Sequence, residues 1–442
     1  MAHWARRLLI ICMPVAVGLM AMIYSPTSGL LCELRSRSRG LLAALERLGV
    51  TSPDKIQLEH DMYIPGGCPN SGNDHSEETA DVTAVILNWS RLSNVIQIVE
   101  SLCHPGADDT IAAITVWNNN PISVSHSDFA AANCSTSKLR IYNSPENVYF
   151  QARFIACSQA NTPYCFIQDD DYFVYPEIIR AIRHRMDSQD PQIGVHLLPP
   201  HEMLSSRLRR VYVGSEIHTS FAWLGHGALI PRVRAVDFLA LMSHLNASED
   251  EIKMADNYYT ILANTIPETW FDQGVELGGG QPFTVGAEGD ERNKRHILRA
   301  AGYLEHVLRC TGSACMNSSG VVRSYVTFNG GMQPEHRASR LSTDLSFAAS
   351  RYCSLLLVTS IALLQGDLDF TASSPTDILR VEKINADKLG TGAVNNYVAH
   401  SLSLAVDGDT ETAFRSAKDA MAGDFLRLMS YVCGGFKFFK LA

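Results

Sequence analysis

Short apolar runs alternate with stretches of helical spacing in the middle of the chain. Four runs, VTAVIL (82–87), IAAITVW (111–117), YCFIQ (164–168) and QIGVHLL (192–198), have the length and continuous apolar character of buried strands. Between the first two runs, apolar side chains within 92–102 recur every three or four residues, as on one face of a helix. Strands that alternate with helices predict an α/β fold whose mainly parallel sheet is covered by helices on both faces.

The N-terminus carries an uncharged apolar stretch, LLIICMPVAVGLMAMIY, from Leu8 to Tyr24, preceded by Arg6 and Arg7. Its length at 1.5 Å per residue is slightly under the roughly 30 Å hydrocarbon core of a bilayer, whereas a signal peptide usually has a shorter apolar region. A signal anchor is the favoured interpretation, a cleaved signal and a buried helix being the alternatives. For residues 1–30 we therefore expect an anchor or signal that places the rest of the chain in the secretory lumen, as in a single-pass type II protein of the Golgi or endoplasmic reticulum membrane.

The composition along the chain predicts further boundaries. Residues 31–79 combine an amphipathic stem with a stretch rich in Pro, Gly and Ser, which indicates a linker. Residues 80–315 contain the alternating strands and helices and form the main domain. Residues 316–375 lack a clear period and are interpreted as a linker region, in which the apolar run 355–364 is too short to cross a bilayer and is expected to be a core element.

The C-terminal segment 376–442 contains AVDGDTETAFRS (405–416), which resembles the "DG…T…S" segment of discoidin-type galactose-binding β-sandwiches. The resemblance implies a small, β-rich and partial carbohydrate-binding module. Asp407, Asp409 and Glu411 alternate within it. A solvated turn is the favoured interpretation of this alternation and a Ca²⁺ site the alternative, because no complete Ca²⁺-loop motif is present.

Composition and charge narrow the class of protein. The 442 residues are 46% apolar and 19% charged, as in a globular chain, and 37 Lys and Arg stand against 46 Asp and Glu. This net charge of −9 offers no basic surplus, so a nucleic-acid partner is not expected. Of 11 cysteines, all but Cys12 lie outside the apolar stretch, a number consistent with disulfides in an oxidising lumen. Four N-x-S sequons point the same way, at Asn88, Asn133, Asn246 and Asn317.

Three consecutive carboxylates, Asp169, Asp170 and Asp171, directly follow the apolar run YCFIQ. Side by side at a strand end they repel one another and are costly to bury unless a cation shares the site. In an extended backbone Asp169 and Asp171 point to the same side, so these two can reach one ligand. An exposed acidic turn is the simpler explanation of such a triplet, but its position after a buried strand favours a site for Mn²⁺ or Mg²⁺.

Other polar residues follow the strands or the helix between them. Trp117-Asn118-Asn119 ends the second run, Arg91 follows the first, and Asn147 and Arg153 lie in the segment NVYFQAR. Amides can hydrogen-bond a nucleobase or ribose, and arginines can make charge-assisted contacts with a diphosphate. Each residue taken alone would be an ordinary turn or helix residue; only their convergence is informative.

These motifs, in this order and spacing, resemble the exostosin-like glycosyltransferases, glycosyltransferase family 64, over residues 80–312. The resemblance rests on Asn88-Trp89-Ser90-Arg91, Val116-Trp117-Asn118-Asn119, Arg153-Phe154 and Asp169-Asp170-Asp171, and it continues through Gly227-Ala228, Asp256 and Arg299. It implies a Rossmann-like GT-A fold with a DXD motif and a Mn²⁺-dependent, or Mg²⁺-dependent, retaining transferase. Such an enzyme would move a hexosamine or mannose from a UDP- or GDP-sugar to a glycan or glycolipid acceptor.

The resemblance also implies a role for each matching residue. Asp171 would bind the metal, Asp169 and Asp170 the nucleotide sugar, and Asp256 and Arg299 would be catalytic. The residues expected to line the nucleotide site are Arg91, Asn118, Asn147 and Arg153.

The acceptor side departs from the family pattern. Met254 and Ala255 stand where relatives carry a Cys and an acidic residue, so the disulfide that relatives form with the position of Cys310 is not expected. The segment after Asp256 has helical spacing, which leaves a structural role in the first turn of a helix open for this residue.

Two further alternatives follow from these departures. The position of Arg299 is defined only to within a residue, and His296 is its alternative. A non-catalytic, carbohydrate-binding or pseudo-enzyme module on a GT-A fold is the second functional hypothesis.

Overall fold

The computed structural model describes residues 80–187, 193–272, 274–279, 287–309, 319–328, 345–349, 355–364, 367–407, 409, 411–417, 424–431 and 436–441. The predicted anchor and stem, Cys310 and Asn317 lie outside these residues. Within them, no helix combines the length and the apolar character needed to cross a membrane.

The described residues form fifteen strands, which include the four predicted runs. They are β1 (Val82–Asn88), β2 (Ile111–Asn118), β3 (Leu139–Asn143), β4 (Tyr164–Gln168), β5 (Tyr172–Phe173), β6 (Val195–Leu198), β7 (Val211–Val213), β8 (Ile217–Thr219), β9 (Ala228–Pro231), β10 (Glu268–Phe271), β11 (Val275–Glu276), β12 (Ser346–Ala349), β13 (Leu355–Thr359), β14 (Leu426–Tyr431) and β15 (Phe436–Leu441). β1, β2 and β4 match their runs to within a residue, and β6 covers the last four residues of its run. The four predicted strands are therefore confirmed.

The helices lie between these strands and pack against them. They are α1 (Leu92–Cys103), α2 (Gln151–Ser158), α3 (Pro176–Arg185), α4 (Pro200–Leu208), α5 (Arg232–His244), α6 (Glu249–Lys253), α7 (Asp256–Ala263), α8 (Ala287–Arg309), α9 (Ser319–Tyr325) and α10 (Ile378–Ala399). α1 buries Val95, Ile98, Val99 and Leu102 at the predicted helical spacing. α3 begins at Pro176, whose missing N–H costs nothing in the first turn of a helix.

One sheet connects most of the strands, in the order β15-β14-β13-β12-β10-β6-β9-β4-β1-β2-β3. β3, β2, β1 and β4 are parallel, and β6, β10 and β12 are parallel to one another. β9 is antiparallel to both β4 and β6, so the two parallel groups run in the same direction. The carboxyl ends of β1, β2, β4, β6 and β10 therefore lie along one edge, where ligands bind in sheets of this kind.

Apolar side chains from both faces of the sheet form the core. Val85 and Ile167 belong to the cluster that packs under α2, α5 and α7, whereas Ile86 and Phe166 belong to the cluster under α1 and α3. Alternate residues of one strand thus enter opposite cores, which explains why the strands are continuously apolar.

Two disulfides connect described residues. Cys103 at the end of α1 is bonded to Cys134, and Cys157 in α2 is bonded to Cys165 in β4. The second of them ties α2 to the strand that leads into the acidic triplet.

The described residues of the C-terminal segment form a helix and two strands of the main sheet in place of the predicted β-sandwich. α10 buries Ile378, Val381, Asn385 and Leu389, whose spacing of three and four residues is that of a helix. β14 and β15 then extend the main sheet beyond β13. β12 and β13 belong to the same sheet, so the interpretation of 316–375 as a linker region is corrected as well.

Asp407 and Asp409, two of the alternating acidic residues of this segment, accept hydrogen bonds from residues of the same turn. Asp407 accepts hydrogen bonds from the Asp409 amide at 3.0 Å and the Thr412 hydroxyl at 2.7 Å, and Asp409 accepts one from the Glu411 amide at 2.9 Å. These hydrogen bonds agree with the favoured interpretation of the segment as a turn.

Candidate active site

The three carboxylates leave the carboxyl end of β4 in three different environments. The backbone amide of Asp169 donates to the carbonyl of Gly225 at 2.8 Å, which fixes the start of the turn against the loop before β9. The side chain of Asp169 is 25% exposed, that of Asp170 9% and that of Asp171 41%. Asp171 is therefore the most exposed carboxylate of the three, and its role as a metal ligand stays a prediction.

Arg153 connects Asp169 to Asp256. Its Nη2 donates to both carboxylate oxygens of Asp169 at 2.5 Å, and its Nη1 forms an ion pair with Oδ2 of Asp256. Arg153 and Asp256 have side chains that are only 1% exposed. The structure brings these three predicted residues together, but it buries the arginine that was predicted to contact the diphosphate.

Arg91 holds the other two carboxylates. Its Nη1 lies 2.8 Å from Oδ1 of Asp170 and 3.4 Å from Oδ2 of Asp171, and its side chain is 10% exposed. The backbone amide of Trp89 also donates to Asp170, at 3.3 Å. Arg91 follows β1 and the triplet follows β4, and these neighbouring parallel strands explain the contact.

A short segment, residues 275–279, crosses the triplet and is called the strap below. β11 pairs with β5, and the amide of Leu277 donates to the carbonyl of Asp171 at 2.8 Å. Asn94 in α1 donates to the carbonyls of Asp170 and Gly278, both at 2.9 Å, and Arg91 donates to the carbonyl of Gly279. The strap thereby covers the side of the triplet that faces α1.

Burial and mutual repulsion raise the pKa of all three carboxyls. For Asp169, burial raises the pKa most, Arg153 opposes it and the charge of Asp171 adds to it. Burial also raises the pKa of Asp170, with the charge of Asp169 second, and raises that of Asp171 against the opposing charge of Arg91. Two arginines therefore do not fully offset the desolvation of three carboxylates, and a further positive charge beside them would favour their ionised forms.

A ladder of asparagines joins the carboxyl ends of β1, β2 and β3. Asn88, Asn118 and Asn143 are in register across the three strands. The amide of Asn88 donates to Asn118 at 2.7 Å, and that of Asn118 donates to Asn143 at 2.8 Å and to the carbonyl of Ile122 at 2.9 Å. Asn118 is fully buried, so the predicted contact with a nucleotide is corrected to a supporting role.

The neighbouring asparagines support loops in the same way. Asn119 donates to the carbonyl of Tyr149 at 3.2 Å and accepts from the indole of Trp117 at 3.1 Å. Asn147 accepts from the amide of Tyr149 at 2.9 Å. Asn88 is 3% exposed, so this sequon cannot be glycosylated in the folded protein.

Arg299 lies on α8 and makes its contacts away from the triplet. Its guanidinium pairs with Glu251, which the Tyr303 hydroxyl also reaches at 3.1 Å, and its side chain is 57% exposed. His296 on the same helix is buried and lies 2.8 Å from the Tyr258 hydroxyl. Neither residue contacts the three carboxylates, since Arg299 pairs with α6 and His296 contacts α6 and α7.

A second polar group at the same edge was not predicted from the sequence. His226 Nε2 lies 2.8 Å from Glu202 at the start of α4, and its ring packs edge-on against Tyr172, with centroids 4.8 Å apart. Asp272 follows β10 and accepts from the amide of Gly274 at 2.6 Å. These residues come from four separate segments, and no local motif marks them.

The charges of this second group shift its own pKa values. Burial lowers the pKa of His226, but the hydrogen bond and charge of Glu202, with the charges of Asp272 and Asp171, outweigh burial and raise it to about 9. Burial raises the pKa of Asp272 to about 6, although Gly274 and His226 oppose the shift. His226 is therefore protonated at neutral pH in the absence of a bound cation.

The donor groups at this edge suit a hard divalent cation. Within the described part of the chain, no group of three or more His, Cys, Asp or Glu side chains is arranged to hold a metal ion by itself. Ions such as Mg²⁺ are commonly held by one or two carboxylates, with phosphate oxygens and water in the remaining positions. Asp171, the most exposed of three carboxylates with raised pKa values, fits that arrangement.

No protein-family model and no curated protein matches the chain. Among solved structures, it is similar to a mannosyltransferase from Pyrobaculum calidifontis in complex with GDP-Man and Mn²⁺, at 11% identity over 56% of this chain and 69% of that chain, with a TM-score of 0.34. It is also similar to glucosyl-3-phosphoglycerate synthase from Mycobacterium tuberculosis in complex with phosphoglyceric acid (10% identity, 50% and 80% covered, TM-score 0.32) and to TarS from S. aureus in complex with UDP (10% identity, 60% and 79% covered, TM-score 0.30). TM-scores this low do not establish a shared fold or activity.

Proposed function

We propose that this protein is a glycosyltransferase that uses a nucleotide sugar as donor and a divalent cation, Mn²⁺ or Mg²⁺, as cofactor. The observation that carries the proposal is the triplet after β4, in which Asp169 and Asp170 are paired with arginines and Asp171 is left partly exposed. An anionic corner of this kind, at the carboxyl edge of a parallel sheet, suits a cation that is shared with a diphosphate.

Glycosyl transfer requires stabilisation of the negative charge that develops on the leaving diphosphate. A divalent cation, when bound, supplies this stabilisation as a Lewis acid. Asp171 would hold it, and Arg91, whose Nη1 lies 3.4 Å from Oδ2 of Asp171, can contact an anionic group bound beside it. Asp169 would face the donor sugar or ribose, held in place by Nη2 of Arg153, which donates to both of its carboxylate oxygens.

Within this proposal, Asp256 acts through Arg153. Its Oδ2 faces the guanidinium, and the carboxylate is buried, so it cannot reach a sugar without leaving the ion pair. A positioning role therefore fits Asp256 better than the catalytic role that the exostosin resemblance implies. The resemblance supports a retaining reaction, and the anomeric configuration of the product, measured by proton NMR, tests that part: an inverted product would contradict it.

The remaining details come from the sequence. We propose a UDP- or GDP-linked hexosamine or mannose as donor, a glycan or glycolipid as acceptor, and a luminal domain anchored in the Golgi or endoplasmic reticulum membrane through residues 1–30. Two disulfides and the exposed sequons at Asn133 and Asn246 are compatible with that compartment. Asn133→Gln and Asn246→Gln should each remove a glycan from the protein expressed in secretory cells; a chain without any glycan would contradict the location.

A donor screen tests the activity. The full-length protein is incubated with a panel of UDP- and GDP-sugars, in Mn²⁺ or in EDTA, and release of the nucleoside diphosphate is measured with water and simple glycosides as acceptors. We expect release from one donor class in Mn²⁺ and none in EDTA. Binding of nucleotide sugars without release from any donor would contradict the enzyme and leave the alternative.

That alternative is a non-catalytic carbohydrate-binding module on the same fold. One observation favours it: both residues predicted to be catalytic form ion pairs within the protein. Asp256 is paired with Arg153, and Arg299 is paired with Glu251. Sugar binding that is indifferent to EDTA would distinguish this module from a metal-dependent enzyme.

A further inference from the structure

The loop before β9 lies on the turn that carries the triplet and places His226 beside Tyr172. Its neighbour Gly225 accepts the amide hydrogen of Asp169, and a Cβ at Gly225 would overlap Oδ2 of Asp169. No side chain fits between this loop and the triplet, so the backbone of the loop lies directly on Asp169. Tyr172, the residue after Asp171, contacts the imidazole edge-on with ring centroids 4.8 Å apart.

The two ring nitrogens of His226 have different surroundings. Nε2 lies 2.8 Å from the carboxylate of Glu202. Nδ1 is buried and has no hydrogen-bond partner among the residues that the structure describes. A buried ring nitrogen without a partner is uncommon and calls for an explanation, such as an ion or water that it would bind.

We propose that His226 is a nitrogen ligand of the divalent cation, shared with Asp171, and that Glu202 orients the ring from its other nitrogen. The inference rests on the proposed function. Histidines that bind metals usually give their second ring nitrogen to a carboxylate or carbonyl, which fixes the ring and raises its basicity. The pair of His226 and Glu202, with the remaining nitrogen buried and unbonded, has that arrangement.

This ligand decides between the two cations that the carboxylates alone leave open. Mg²⁺ is a hard ion that takes oxygen ligands, whereas the affinity of nitrogen-containing sites rises along the transition series that Mn²⁺ begins. A site with one imidazole and one carboxylate therefore favours Mn²⁺ over Mg²⁺. Replacing His226 with an oxygen ligand should reduce that preference.

Electron spin-echo envelope modulation of bound Mn²⁺ tests the inference directly. The full-length protein is loaded with Mn²⁺ in the presence of UDP or GDP, and the spectrum is recorded with natural and with ¹⁵N-histidine-labelled protein. We expect nitrogen modulation from a coordinated imidazole that changes on labelling, is lost in His226→Gln and persists in the control His244→Gln, whose side chain is exposed at the end of α5.

The Mn²⁺ affinity gives a second readout. Glu202→Gln, which keeps the shape of the side chain, should weaken Mn²⁺ binding by about 10-fold or more, as expected when the partner of a metal-bound histidine is removed. His226→Gln should narrow the preference for Mn²⁺ over Mg²⁺ in the same titration. The wild-type spectrum needs no variant, so a misfolded substitution leaves the test intact.

The outcomes separate the inference from the proposed function. Mn²⁺ that binds with the nucleotide but shows no histidine modulation would overturn the assignment of His226 and leave the cation-dependent enzyme standing. No Mn²⁺ binding with either nucleotide would overturn both.

Discussion

Arg153 and Asp256 form an ion pair in which each side chain is only 1% exposed. The same guanidinium holds Asp169, so one buried arginine joins the first turn of α7 to the end of β4. Residues more than a hundred positions apart in the chain are thereby fixed relative to one another. The position of the Asp169 carboxylate depends on this link.

Asp256→Asn tests that link. It removes one charge from the pair and leaves Arg153 buried with Asp169 alone. We expect the free energy of unfolding to fall by about 3 kcal/mol, the usual cost of breaking a buried ion pair, measured by urea denaturation. Glu249→Gln is the matched control, because the Glu249 carboxylate pairs with Lys253 on the surface and its loss should not change the stability measurably. Equal stabilities of the wild type and Asp256→Asn would contradict the structural role.

Gly225→Ala tests how closely the loop before β9 lies on the triplet. The added Cβ would collide with Oδ2 of Asp169 and lie 3.2 Å from Arg153 Nη2, both of which are held by their own ion pair. Overpacking of this kind costs about 1–3 kcal/mol, and we expect that loss in the free energy of unfolding.

A matched glycine should give the opposite effect. Gly302 lies inside α8, where an added Cβ has no atom within 4 Å, so Gly302→Ala should stabilise the protein by up to about 1 kcal/mol. The same denaturation measurement checks both variants. A Gly225→Ala protein as stable as the wild type would show that the loop is not packed against Asp169.

His196 predicts a pH dependence of stability. Burial lowers its pKa from 6.5 to about 4, against a hydrogen bond to the Trp223 carbonyl at 2.9 Å. Between these two pKa values the imidazole is protonated in the unfolded chain but neutral in the folded chain. The contribution of His196 to the free energy of unfolding is therefore complete above pH 6.5 and is lost as the pH falls towards 4. Between pH 7 and pH 5 the loss amounts to about 2 kcal/mol.

His196→Asn isolates that contribution. The asparagine amide can still donate to the Trp223 carbonyl but does not titrate. In denaturant unfolding at pH 7 and pH 5, the wild type should lose about 2 kcal/mol more than the variant. His244→Gln, at an exposed position, should retain the wild-type dependence. Identical losses in wild type and His196→Asn would contradict the buried neutral imidazole.

Local pattern was sufficient to predict the strands that carry the triplet. β4 ends at Gln168 as its apolar run does, and Asp169 to Asp171 follow it at the ligand-binding edge. The same pattern could not distinguish amides that face a ligand from amides that support loops, because Asn118 is buried by its register with Asn88 and Asn143, which depends on strand pairing. The resemblance in 405–416 likewise gave no information on pairing, and the strands that follow joined the main sheet.

The residues that sequence reasoning missed are isolated in the chain. His226, Glu202 and Asp272 come from a loop, a helix start and a strand end, and only the parallel order of β4, β6 and β10 around β9 brings them to one edge. The one available signal was their position just beyond apolar runs. Arg153 and Asp256 were both named as site residues, but their ion pair depends on the packing of α2 and α7 against a common core.

Nucleotide affinity of Asp171→Asn tests the central proposal most directly. Isothermal titration of UDP and of GDP is compared in Mn²⁺ and in EDTA, for the wild type and for the variant, with Glu249→Gln as the acid-to-amide control. We expect tight, Mn²⁺-dependent binding of one nucleotide to the wild type and to the control, and a loss of affinity of at least 10-fold in Asp171→Asn, since removing a charged ligand forfeits more than about 1.4 kcal/mol. Undiminished affinity of the Asp171→Asn protein in Mn²⁺ would contradict the assignment of this triplet as the cation and diphosphate site.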